Sequence, residues 1–385
     1  MAGKRANGTG GVTRRSDGRW EARYSVRDAE GRLVRKHLYG ASRRQAEDRL
    51  IEALRDRNVG MVVARRGRGP TLGEHAEAWL TGVTLRCRPR TVEKYRQLLT
   101  AHVLPSLGSV PLPRLEVGHV NRLLAAKSAA GLSPATVAGV RTVLRATLEA
   151  AVRHGTVTRN VAALADAPRL PDPQRPALTQ AEAGQLLAAA ETDAEGPLWV
   201  VAVTTGLRLS ELLGLRWDDV DAQQRVLRVE RSLQRVNGTW LLSEPKTQRA
   251  RRAVPLAPLA VAALDRQRAR QAGLRLLAGS QWRDEWGALI FAGPRGEPRF
   301  GPAIARRLRR QCAALGLPNV GMHGLRRTAA SLLADSGVPF QTVGDYLGDG
   351  VVTTLKHYVR SVPGSRRHAA DTLDRILTAP TTPTG

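Results

Sequence analysis

Residues 205–215 read Thr205-Gly206-Leu207-Arg208-Leu209-Ser210-Glu211-Leu212-Leu213-Gly214-Leu215. An arginine stands just after a glycine turn and at the start of a helical run, where its guanidinium projects with main-chain N–H groups beside it. Three further stretches downstream carry chemistry-bearing residues. Pro245-Lys246-Thr247, followed by Arg251-Arg252-Ala253-Val254-Pro255-Leu256, reads as a hairpin that carries a lysine. His323-Gly324-Leu325-Arg326-Arg327-Thr328 places a histidine and an arginine three apart. Leu347-Gly348-Asp349, then Thr353-Thr354, leads to Tyr358. Each piece taken singly is weak, because a lone arginine after a glycine, or a lone tyrosine, is more often structural than catalytic.

The bulk of the chain narrows the partner. Sixty Lys and Arg against thirty-four Asp and Glu leave a formal net charge of +26 in 385 residues, with an isoelectric point near 11.5. A field of that size favours polyanions, either nucleic acid or an anionic membrane surface. The longest uninterrupted apolar runs, Leu198–Val203 and Leu259–Leu264, are far short of a bilayer span. The first thirty residues lack the apolar core of a secretory signal. Cys87 and Cys312, far apart, suggest neither a disulfide framework nor a zinc site, so a reducing cytoplasm is expected. Aromatics at 4% argue against a stacking platform for single strands. What remains is a binder of duplex phosphates, and composition alone leaves a basic ribosomal or nucleoid protein open.

Three segments separate by pattern. Residues 1–68 hold eighteen Lys and Arg against eight Asp and Glu, +10 of the total charge. Val12–Arg15, Trp20–Val26 and Leu33–Tyr39 read as strands, with Ser16-Asp17-Gly18 as a turn. Ser42 then caps a helix to about Arg57, and Met61–Pro70 is a basic linker. Residues 71–165 are helical throughout. Thr71 with Glu74 opens a capping box, Ser133-Pro134 starts another helix, and Pro105, Gly131 and Gly155 close helices. After a Pro-rich linker at Arg169–Pro176, Thr179 and Glu182 open a third segment, 177–385. It reads as helices, a strand pair near Val226–Val229 and Trp240–Leu242, a strand near Arg252–Leu256, and helices onward.

In this order and at these distances, the four motif stretches resemble the tyrosine recombinase or phage-type integrase family, in an actinobacterial-like form. The resemblance covers nearly the whole chain and implies a fold that is mainly α with small β elements. Residues 1–68 look like an arm-type DNA-binding domain with a three-stranded sheet plus helix, followed by the basic linker. Residues 71–165 look like a helical, SAM-like core-binding domain, and residues 177–385 like an α+β catalytic domain. The implied activity is site-specific recombination: duplex DNA is cut and rejoined through a 3′-phosphotyrosyl intermediate, integrating or excising a mobile element, without metal, ATP or cofactor. Implied partners are attachment core and arm DNA, a homotetramer on that DNA, and an excisionase or DNA-bending accessory protein, with no membrane. The implied location is the nucleoid of a bacterium, or of a phage's host. The stretch His368–Leu377, helical in pattern, would dock on a neighbouring protomer.

Residue by residue, Arg208 matches the family's first arginine, Lys246 its hairpin lysine, His323 and Arg326 its H-x-x-R pair, and Tyr358 its nucleophile. The chemistry suits these types. Two guanidiniums bracket the equatorial oxygens of an attacked phosphodiester. A tyrosine forms a phosphoester that keeps the bond energy, so rejoining needs no ATP. His323 accepts the phenolic proton or orients the phosphate, and Lys246 is the general acid for the departing 5′-oxygen. Candidate DNA contacts are Arg14, Arg15, Arg23, Arg35 and Lys36 in the first segment and Arg90, Lys94, Arg141 and Arg145 in the second.

Asp349 departs from the family, which usually has His or Trp there. An ionised carboxylate beside the scissile phosphate opposes the developing charge. It must be protonated, paired with a neighbouring arginine, or turned away while His357 or another group supplies the contact. Otherwise the site is impaired, which leaves a non-cutting recombinase-derived DNA-binding regulator as the alternative. A type IB topoisomerase shares the chemistry but is disfavoured by the separate arm-binding module. Glu211 reads as a structural partner for a local arginine, Trp217, Trp240, Trp282 and Trp286 as packing, Cys312 as a buried helix residue, and His75, His102, His119 and His154 as incidental.

Overall fold

The computed structural model describes residues 10–27, 33–58, 69–169, 176–244 and 251–350. The chain divides into two compact units, 1–173 and 174–385.

The first unit opens with strands β1 (Gly11–Arg14), β2 (Trp20–Arg27) and β3 (Leu33–Gly40) in one antiparallel sheet, followed by helix α1 (Arg43–Asn58). The Ser42 hydroxyl accepts from the Gln45 N–H, the expected cap. Alternation along β2 sorts the two faces. Ala22 and Tyr24 are buried with Ala46, Leu50 and Ala53 of α1, and Val12 and Leu38 pack against them. Glu21, Arg23 and Ser25 point to the other face, opposite Tyr39, His37 and Arg35 of β3.

A second, separate core in this unit is helical. It is built by α2 (Leu72–Val83), α3 (Pro89–Leu98), α4 (Leu104–Leu107), α5 (Val117–Ala129), α6 (Pro134–Arg153) and α7 (Val161–Leu164). Leu72, Leu80, Leu99, Leu144 and Leu148 are among its fully buried side chains. The Thr71–Glu74 capping box and the Ser133 cap form as read, and Gly131 and Gly155 close helices with φ of 82° and 67°. Pro105 does not close one. A π-helical segment, Leu99–Val103, joins α3 to α4, and Pro105 falls in the first turn of α4, where a missing N–H costs little.

The second unit begins with α8 (Gln180–Ala189) behind the Thr179–Glu182 capping box, then α9 (Gly196–Thr205) and α10 (Leu209–Leu213). The apolar run Leu198–Val203 lies in α9 and is buried on every side. Strands β4 (Val220–Asp221), β5 (Val226–Val229) and β8 (Arg252–Pro255) form one sheet, and β6 (Ser232–Val236) and β7 (Thr239–Ser243) another. This corrects the expected pairing of Val226–Val229 with Trp240–Leu242. The partner of β7 is β6, across a two-residue turn at Asn237-Gly238, both left-handed at φ 48° and 81°. Such a turn matches the twist of a tight hairpin. Among the described residues β7 and β8, which flank Lys246, do not pair with each other. The long helix α11 (Pro258–Ala278) packs on α9, and α12 (Gly301–Ala314), α13 (Met322–Asp335) and α14 (Phe340–Leu347) complete the unit.

Cys312 is fully buried, as read. Trp217, Trp240 and Trp286 pack on the core of this unit, whereas Trp282 donates to Asp284 outside it. No described helix is long and apolar enough to cross a membrane.

Candidate active site: two arginines bridged by one carboxylate

Arg326 is the organising residue. It sits in the first turns of α13, and none of its side chain reaches solvent. A buried guanidinium must have every donor satisfied. Nη1 donates to the carbonyl oxygen of Gly206 at 2.7 Å and Nη2 to that of Leu347 at 2.8 Å. Both acceptors lie at helix ends, where carbonyls lack helical partners. Gly206 ends α9 in the left-handed conformation, φ 60°, and a Cβ there would stand 2.3 Å from Leu347 Cδ2. A residue with a Cβ is strained in that turn and forces Leu347 to move.

Helix α14 ends in a Schellman motif. The N–H of Gly348, at φ 70°, bonds to Asp345 O, and the N–H of Asp349 bonds to Gly344 O at 2.8 Å. This cap fixes the backbone of Asp349 and turns its carboxylate onto the arginines. Oδ2 accepts from Arg326 Nη2 at 2.6 Å, and Oδ1 accepts from Arg208 Nη2 at 2.6 Å. One carboxylate therefore joins two guanidiniums from different parts of the chain. Of the arrangements open to Asp349, the structure has pairing, and with both arginines at once.

Arg208 is the N-cap residue of α10, held by Glu211. Its N–H and Nη1 donate to the two carboxylate oxygens of Glu211 at 3.1 and 2.7 Å. Glu211, 3% exposed, also accepts from Arg252 Nη2 at 3.2 Å. Glu211 is thus the structural partner it was read as. Arg252, to which sequence reasoning gave no role, is drawn in from β8 and donates through Nε to Tyr346 O at 3.0 Å. Burial first, and then its arginine neighbours against the pull of Glu211, lower its pKa. Three guanidiniums against two carboxylates leave this cluster with an excess of positive charge. Tyr346 donates from its hydroxyl to Thr204 O at 2.7 Å, and burial raises its pKa. That phenol is committed to packing.

His323 lies three residues before Arg326, on the same face of α13. Its side chain is partly open to solvent, yet desolvation of the ring, followed by the charges of Arg327 and Arg326, lowers its pKa to about 4; Asp349 pulls the other way. At neutral pH the imidazole is uncharged. Arg208, His323, Arg326 and Asp349 are therefore brought together. Lys246, Tyr358, His357 and the stretch His368–Leu377 lie outside the described residues.

The expected DNA contacts are sorted by the fold. Arg15, Arg23 and Arg35 gather on the open face of the first sheet. There Glu21, 2% exposed, accepts from Arg23 at 2.6 Å and from His37 at 2.8 Å, with Arg15 Nη1 at 3.6 Å. Arg23 and His37 hold Glu21 at a pKa of about 2. Arg14 and Lys36 pair with Trp20 and Tyr24, so they stand on the α1 side of the sheet. In the helical core Arg90 pairs with Glu93 at 2.6 Å, and Lys94 and Arg145 are exposed. Arg141 is turned inward, donating to the carbonyls of Ala163 and Ala165. It holds the end of α7 and is half-buried. His75 and His119 also have partners, the Thr147 carbonyl and the Glu116 N–H.

Residues 176–364 match the model of the phage integrase family, and residues 71–126 match its N-terminal SAM-like domain. An integrase of Streptomyces ambofaciens is 31% identical over 396 residues, covering 98% of both chains. The chain belongs to the phage integrase family. A XerC-like tyrosine recombinase of Caldanaerobacter subterraneus subsp. tengcongensis is 27% identical and covers 91% of the integrase and 94% of its own length. Among solved structures, the Tn1549 transposon integrase in complex with a circular intermediate DNA superposes with a TM-score of 0.68 at 21% identity, covering 79% of this integrase and all of that chain. A lambda integrase tetramer bound to a Holliday junction superposes at 0.57, with 94% of this chain covered. The integrase is accordingly a tyrosine-type site-specific recombinase, mostly helical with small sheets.

Proposed function

We propose that this integrase cuts and rejoins attachment-site DNA at the Arg208–Arg326 pair, with Tyr358 as nucleophile. The observation that carries the reading is the shared carboxylate. Two forks that meet on the two oxygens of one Asp349 are spaced to meet on two oxygens of one phosphodiester. Charge that builds on those oxygens during attack is stabilised by guanidiniums already oriented by Glu211, Gly206 and Leu347.

In the forward step the Tyr358 oxygen bonds to phosphorus and the bond to the 5′-oxygen breaks. The phenolic proton passes to His323, whose ring is uncharged at neutral pH, and Lys246 protonates the departing 5′-oxygen. Rejoining runs the same steps backwards, so no nucleotide is hydrolysed. The partner is duplex DNA carrying core and arm sites, bound by four copies of the chain with an excisionase or bending protein. Residues 1–68 hold the arm sites through the Arg15, Arg23 and Arg35 face, residues 71–165 and 177–385 clamp the core, and the site of action is the nucleoid.

The test is a nicked duplex carrying the attachment core that adjoins the gene, mixed with the purified protein, denatured and run on a gel. A protein–DNA band that vanishes in Tyr358→Phe is the expected result. Tight binding without an adduct on a verified core site would overturn the proposal in favour of a non-cutting DNA-binding protein.

A further inference from the structure

The bridge between Arg208 and Arg326 has a consequence for how DNA enters. A phosphodiester bound to both forks needs the donors that Asp349 now holds. Arg208 Nη2 gives its hydrogen bond to Oδ1 and Arg326 Nη2 to Oδ2, each at 2.6 Å, the short range of charge-assisted bonds. Arg326 Nη1 and Nη2 also donate to the carbonyls of Gly206 and Leu347, and Arg208 Nη1 faces Glu211. Arg326 is 0% exposed and the Asp349 side chain 9%, whereas the Arg208 side chain is 38% exposed. The first arginine is thus open to an incoming anion, and the second is fully buried with its Nη2 bonded to Asp349.

We propose that Asp349 is the resident occupant of the phosphate seat, an internal oxyanion that holds the two guanidiniums at bridging distance until a DNA phosphate displaces it. This rests on the reading of Arg208 and Arg326 as the phosphate clamp. The carboxylate stabilises the DNA-free protein, because without it the buried Arg326 guanidinium and the half-exposed Arg208 repel each other and each loses one acceptor. The same carboxylate competes with substrate. A phosphate enters only when Asp349 swings out, so the fraction of protein competent to cleave is lowered by the stability of the bridge. The Schellman cap fixes the Asp349 backbone through Gly344, so it is the side chain that must turn for the seat to empty.

The experiment compares the wild-type chain with Asp349→Asn and Asp349→His. The first probe is inorganic phosphate, read by thermal denaturation against chloride at equal ionic strength. With the seat emptied of its own carboxylate, Asp349→Asn should gain a saturable rise in Tm with phosphate that the wild type lacks and that Asp349→Asn/Arg208→Gln loses. An identical response of wild type and Asp349→Asn overturns the proposal. The second probe is adduct formation on the nicked core duplex. Both single variants, checked for folding by circular dichroism, should form the adduct about tenfold faster than wild type at sub-saturating DNA. A wild type as fast as or faster than both folded variants overturns the proposal and leaves the recombinase reading intact. Absence of adduct from all three proteins overturns the recombinase reading instead, and the phosphate response then decides the role of Asp349.

Discussion

Arg326 donates to the carbonyl oxygen of Gly206 at 2.7 Å across 120 residues of chain. That bond ties the start of α13 to the turn between α9 and α10, two residues before Arg208. The position of one arginine therefore sets the position of the other. Since Gly206 is left-handed and lies against Leu347, a side chain in that turn is strained.

Gly206→Ala should destabilise the catalytic unit by about 2 kcal/mol, from left-handed strain plus the clash with Leu347. Urea denaturation measures it, and adduct formation should fall in the same variant because the Arg326 acceptor moves. An unchanged midpoint would show that the turn relaxes without cost.

Arg326→Lys keeps the charge but cannot reach Gly206 O, Leu347 O and Asp349 together. Its adduct rate on the nicked core duplex should drop by about 10²–10³-fold, the range for loss of one oriented donor to a developing oxyanion. A drop below tenfold would mean that Arg326 is structural and that Arg208 alone carries the phosphate.

His323 makes stability depend on pH with a defined sign. Its folded pKa, about 4, lies below the ordinary 6.5, so between these values the unfolded chain binds a proton that the folded chain refuses. The stabilising effect of a neutral His323 is full above pH 6.5 and is lost as pH falls toward 4. The difference in stability between wild type and His323→Gln, measured by urea denaturation without DNA, should therefore shift in favour of His323→Gln as pH is lowered through that window. A pH-independent difference would refute the lowered pKa.

On the arm module, Arg23→Ala and Arg35→Ala should each reduce the slope of log binding constant against log salt by about 0.9, the loss of one phosphate contact. Arg14→Ala, on the α1 side of the sheet, should change it less. Deleting residues 1–68 should flatten the slope further. Equal effects of Arg14→Ala and Arg23→Ala would mean that the open face is not the one that meets DNA.

Much of the molecule is written in local sequence. The capping boxes at Thr71 and Thr179 and the Ser133 cap involve partners three residues away, and the three strands of the first sheet are joined in sequence order, so residue type and period specify them directly. The glycine turn before Arg208 and the three-residue spacing of His323 and Arg326 are local for the same reason, and with them came the family. Other features depend on groups far apart in the chain. Strand β7 pairs with β6 and not with β5, because the left-handed Asn237-Gly238 turn closes a tight hairpin. Arg141 looked like a solvent-facing arginine until the folded α7 put two carbonyls against it. Asp349 shows the division most sharply. Its identity marked it as anomalous in sequence, but the energy of a carboxylate depends on which charges surround it. Arg208 lies 141 residues away and Arg326 lies 23 away, and only the packing of α9, α13 and α14 brings both to its two oxygens.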